Sequence, residues 1–141
     1  MDESTINIIK VGVHIKWDDE MRRYIWSFDG DGVDPATGNV TLPACGKTAI
    51  VYKLHPTCAE SYQLIYVNLD PDNCATYEIE QVNTDKESHC LTVIDRNSYN
   101  YTRNTPFCLR LVARMKNNIG SGFLSPDPQV TNNPNPPMSG E

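Results

Sequence analysis

Three observations predict an all-β fold, a single antiparallel β-sandwich of about eight strands in an immunoglobulin-like or jelly-roll-like arrangement. Apolar residues recur at every second position along much of the chain. Clusters of Gly, Pro, Asn and Asp separate these runs. No window carries the 3.6-residue apolar stripe of an amphipathic helix. A closed barrel is the structural alternative. At 141 residues the chain is long enough for one buried core.

The first run places Ile9, Val11, Val13, Ile15 and Trp17 on one face and Lys10, Gly12, His14 and Lys16 on the other. Asp18-Asp19-Glu20 turns the chain, and Tyr24, Trp26 and Phe28 share a face of the next strand. The two runs read as a hairpin, with Trp26 and Phe28 in the core. A polar loop over residues 29–39 leads to a short strand, Val40-Thr41-Leu42, stopped by Pro43. The run from Thr48 to Leu54 follows, ended by His55-Pro56-Thr57. Strands over Tyr62–Leu69 and Thr76–Val82 come next, and Asn83–Glu87 turns the chain again. In Cys90–Ile94, Leu91 and Val93 face one way. In Phe107–Met115, Phe107, Leu109, Leu111, Ala113 and Met115 point inward, while Cys108, Arg110, Val112 and Arg114 point outward. The domain spans residues 1–125. Residues 126–141 form a Pro/Asn-rich C-terminal segment in which Gln129-Val130-Thr131 adds a short edge strand and the end is disordered.

Charge and composition exclude several classes. Twelve Lys and Arg against eighteen Asp and Glu leave a formal charge of −6, which argues against a nucleic-acid partner. No segment approaches the apolar length of a membrane-spanning helix, so no membrane partner is expected. The opening Met1-Asp2-Glu3-Ser4-Thr5 is acidic and polar, unlike a secretory leader, so a cytoplasmic location is expected. The cysteines, Cys45, Cys58, Cys74, Cys90 and Cys108, are odd in number and contain no Cys-x-x-Cys pair. Reduced structural thiols are favoured over disulfides or a thiolate metal cluster.

The sharpest local signal is Asp29-Gly30-Asp31-Gly32-Val33-Asp34. Alternate carboxylates on a Gly-rich turn are what a hard cation wants, so Asp29, Asp31 and Asp34 are the candidate calcium ligands. Counted as a calcium loop with Asp31-Gly32 at places five and six, the twelfth place falls on Gly38, where a bidentate Glu belongs. A solvated hairpin loop is therefore the stronger reading, and no cofactor is expected unless calcium binds here. His14, His55 and His89 share no short metal-binding spacing. Cys90 with His55 is arithmetically a nucleophile and base, but a thiol in a buried strand is inert. Nucleophile-elbow and phosphate-loop motifs do not occur.

One stretch resembles a known family. Leu91-Thr92-Val93-Ile94-Asp95-Arg96-Asn97, the strand Phe107–Met115 and Asp127-Pro128-Gln129-Val130-Thr131-Asn132-Asn133-Pro134 are similar to the DP-EP family of small bacterial proteins. The likeness covers residues 91–134 and, more loosely, the Trp-rich hairpin at residues 17–28. It implies a single β-sandwich and a bacterial source, and it brings no catalytic residue with it. Physically, Asp95 and Asn97 bracket a turn in which side chains bond nearby backbone.

A non-enzymatic β-sandwich that binds another protein, or assembles with itself, is the expected function. The alternative is a carbohydrate or small-ligand binding module resting on Tyr99 and Tyr101, aromatics in an Asn-rich loop that also suit a partner contact. A metal-dependent enzyme built on the histidines and the acidic loop is the third reading.

Overall fold

The computed structural model describes residues 6–42, 46–69, 79–85, 89–97, 106–117, 120–126 and 129–131. Among them the strands are β1 (Asn7–Asp18), β2 (Arg23–Asp29), β3 (Val40–Thr41), β4 (Thr48–Leu54), β5 (Tyr62–Leu69), β6 (Ile79–Asp85), β7 (Cys90–Asp95), β8 (Pro106–Met115), β9 (Phe123–Leu124) and β10 (Gln129–Thr131). A single turn of helix, α1 (Pro56–Ala59), follows β4. One sheet has the order β2-β1-β4-β7-β6. The other has the order β3-β10-β8-β5, with β9 pairing to β8.

The core lies between the sheets. Val11, Val13, Ile15, Trp26, Phe28, Ile50, Tyr52, Leu54, Leu91 and Val93 enter it from the first sheet. Leu64, Val67, Leu109, Leu111, Ala113, Val40 and Val130 enter it from the second. Alternation, interrupted by one irregularity in β5, puts them there, because successive side chains on a strand leave opposite faces. The sandwich read from the sequence is therefore the observed architecture, with Trp26 and Phe28 buried as expected. Among the described residues no helix is long and apolar enough to cross a membrane.

Several details differ from the sequence reading. The sandwich is not purely antiparallel: β1 runs parallel to β4, and β10 parallel to β3. Alternation carries no strand direction. The chain leaves the first sheet after β2, visits the second at β3, and returns on the other side of β1. Trp17 is 41 % exposed rather than buried, since it ends β1 and its Nε1 donates to Asp19 Oδ1 at 2.8 Å. Met115, also assigned to the core, ends β8 and is exposed. β6 runs on to Asp85 through residues read as a turn, held by pairing with β7. The Gln129–Thr131 strand, expected at an edge, lies between β8 and β3. The expected disordered end lies outside the described residues.

The strand ends are fastened by side chains. α1 buries Cys58 and Ala59, and the Cys58 thiol accepts from Ile15 N at 3.3 Å and donates to Ile15 O at 3.5 Å. At the other end of β4, Thr48, Asp95 and Asn97 are buried. Asn97 N donates to Asp95 Oδ1 at 2.7 Å, the turn bond expected from the sequence, and Asn97 adopts a left-handed φ of 46°. Ser125 clips the chain to β8: its N donates to Leu111 O at 2.9 Å and its Oγ accepts from Leu111 N at 2.8 Å. Tyr24 of β2 stacks on Phe123 of β9 with centroids 3.7 Å apart, joining the two sheets at one corner.

Candidate functional site

The acidic loop is closed by its own bonds. Asp34 Oδ1 accepts from Ala36 N at 2.9 Å and Thr37 N at 3.3 Å, and Asp34 O accepts from Gly38 N at 2.7 Å. Asp29 points the other way and pairs with His14 Nε2 at 2.9 Å. Asp31 is exposed on the turn between them. The candidate ligands Asp29 and Asp34 thus lie close in sequence but serve different partners, while Asp31 stands exposed between them. Among the described residues no group of three or more His, Cys, Asp or Glu is placed to hold a metal ion. Tyr99 and Tyr101, with Cys45 and Cys74, lie outside the described residues.

The histidines divide. His14 stacks on His55 with centroids 4.6 Å apart, because the end of β4 runs beside β1 and His55 N donates to Val13 O at 2.9 Å. His55 Nδ1 meets Thr57 Oγ1 at 2.9 Å and caps α1. His89 occupies a left-handed turn position with φ 59° and lines a separate depression of about 390 Å³ with Lys53, Glu60 and Lys116.

Strand register arranges the outer face of the first sheet in rows. Asp29, Gly12, Lys53 and Cys90 lie side by side on β2, β1, β4 and β7. Lys10, Val51 and Thr92 form the next row. Apart from Thr92, these residues line a groove of about 790 Å³ together with Ile8 and the Gly30–Asp31 turn. Cys90, assigned from the sequence to a buried strand, is half-buried and lines this groove. Its β7 neighbours Leu91 and Val93 are the ones that enter the core.

The outer face of the second sheet is different in chemistry. Tyr66 of β5, Val112 of β8 and Leu124 of β9 are direct cross-strand neighbours. Tyr66 is 59 % exposed and Leu124 40 %. A bulge between Leu64 and Tyr66 creates this row. It lets Leu64 and Val67 both reach the core while Tyr66 turns outward. Arg114 and Arg110 flank the row on β8. Arg114 Nε donates to Gln63 Oε1 at 3.1 Å, and Arg110 Nε to Ser125 O at 2.9 Å. No carboxylate among the described residues forms an ion pair with Arg114. The outward setting of Arg110, Val112 and Arg114 was legible in the alternation of β8. The partners Tyr66 and Leu124 were not, because neither the bulge nor β9 leaves a periodic trace.

A scan against protein-family models matches the DP-EP family over residues 9–134. A search of curated proteins finds no match.

Proposed function

The chain belongs to the DP-EP family, and for this member we propose a non-enzymatic binding role in which the outer face of the second sheet docks another protein. The observation that carries this reading is the Tyr66–Val112–Leu124 row between Arg110 and Arg114. Aromatic residues and Arg are the side chains that dominate protein interfaces, with the apolar anchors central and the charges around them. Directly opposed residues bring their Cβ atoms within about 5.5 Å, so the three apolar groups form one continuous contact. The Nε bonds of the two arginines pre-order their guanidinium groups, which lowers the entropy lost when a partner is engaged. The matching surface presents an apolar group flanked by carboxylates.

Two of the reactive side chains bond within the fold. The Cys58 thiol bonds the Ile15 backbone, and His14 holds Asp29. This supports binding rather than turnover. A photo-crosslinking side chain in place of Tyr66, activated in the cells that produce the protein, tests the reading. One dominant protein adduct is expected. Each of Leu124→Ser and Arg114→Glu weakens its formation, since an interface anchor contributes on the order of 2 kcal/mol. Absence of an adduct, or an adduct indifferent to both substitutions, overturns the assignment. The same probe at Ile25, on the opposite sheet, provides the background.

A further inference from the structure

We propose that the groove on the outer face of the first sheet binds a small organic acid, an apolar chain ending in a carboxylate. The site is independent of the protein-docking face, which lies on the other sheet.

Gly12 and Asp29 set one side of the groove. A Cβ at that position would collide with the Asp29 carboxylate, which folds across the bare backbone toward His14. The Asp29 carboxylate fills the space over Gly12, so the open part of the groove lies toward Lys10, Val51 and Ile8. At about 790 Å³ the space falls within the range of small-molecule sites. Its floor is apolar, formed by Val51 and Ile8 with the Cys90 thiol alongside. Ile8 is 60 % exposed, and a covering ligand would remove that surface from water.

Charge selects the ligand class. Lys10 and Lys53 stand diagonally across the floor, one row and one strand apart. Neither forms an ion pair among the described residues. Asp29, a carboxylate of the groove, contacts His14 and stays 67 % exposed. Asp31 stands with Gly30 on the turn that closes the β2 side. The two ammonium groups stand over the apolar floor, while the carboxylates of Asp29 and Asp31 lie together at the β2 rim. This pattern attracts an anionic head toward the lysines and repels it from the rim. Along β1 the floor from Gly12 to Ile8 is four residues, roughly 13 Å. That length accommodates a chain such as octanoate.

The experiment is a titration of the full chain with octanoate, followed by amide chemical shifts. Octanamide, octyltrimethylammonium and inorganic phosphate serve as controls. Saturable shifts confined to Gly12, Val51, Lys53, Cys90 and their neighbours are expected. Octanoate should bind roughly tenfold more tightly than octanamide, as two partly solvated ion pairs provide. Lys10→Gln and Lys53→Gln should each weaken octanoate roughly threefold and leave octanamide unchanged. Both side chains are exposed, and unchanged spectra elsewhere confirm the fold of each variant. A second readout needs no variant: octanoate should slow alkylation of Cys90 by iodoacetamide, followed by peptide mass. No saturable shift at millimolar octanoate overturns the proposal. So does equal binding of octanamide or the cation, or octanoate binding that survives both lysine substitutions. Phosphate binding as tightly as octanoate would remove the role of the apolar floor and overturn it as well.

Discussion

Tyr52 shows how much one buried atom can set. Its ring lies in the core, and its hydroxyl is buried with no hydrogen-bond partner among the described residues. Burial, followed by the negative charge of Asp95, pushes this phenol well above its ordinary value of 10. The neutral form is the one the fold holds. Above pH 10 the unfolded chain releases this proton while the folded chain keeps it, so the unfolded state binds fewer protons and stability falls as pH rises. The contribution is fully present below pH 10 and declines by about 1.4 kcal/mol per pH unit until the folded-state value is reached. Tyr52→Phe should remove that part of the slope. At neutral pH it should change stability by less than about 1 kcal/mol, because the lost hydroxyl had no bond to lose. Urea unfolding of both proteins at pH 7, 10 and 11 measures this. Parallel pH profiles would show that Tyr52 is not the titrating group.

At the scale of the element, β10 has the greatest effect for its length. Three residues pair with β8 on one side and β3 on the other, and Val130 between them is 1 % exposed. Without them β8 would present unpaired backbone groups along that margin. Removal of residues 126–141 should therefore lower the melting temperature and promote aggregation. Val130→Ala should cost about 2 kcal/mol from the lost methyl groups and the space they leave. A truncated chain that melts like the full chain and elutes as a single monodisperse species would overturn this. The alternation of Val11, Val13 and Ile15, and of Leu109, Leu111 and Ala113, was legible because a half-buried strand must repeat every second residue. The inner position of β10 was not, since two neighbours far away in sequence determine it. Nor was α1, whose four residues are too few for any helical period.

For the molecule as a whole, the informative failures of sequence reading are those that depend on register between strands. The acidic turn was visible at once, but His14 lies 15 residues from Asp29, and only the β1–β2 pairing brings them to 2.9 Å. The row of Tyr66, Val112 and Leu124 needs three strands and a bulge before it exists. Local composition offered a cation site beside the stronger reading of a solvated loop, and the assembled sheet directs Asp29 toward an imidazole and Asp34 toward backbone N–H groups. All three carboxylates are exposed, but a calcium ion would have to break the His14 contact of Asp29 and the turn bonds of Asp34 to collect them. Millimolar calcium should accordingly leave the thermal unfolding curve of the protein unmoved, and a chelator should leave it unmoved as well. Binding to the folded state alone would stabilise it by roughly 2.7 kcal/mol at a hundredfold excess over the dissociation constant, a shift of several degrees. Such a rise, lost in Asp31→Asn and Asp34→Asn, would establish the loop as a cation site that reorganises on binding. A flat response in the native protein, with His14→Ala still flat, would place the carboxylates of this turn in the service of the fold.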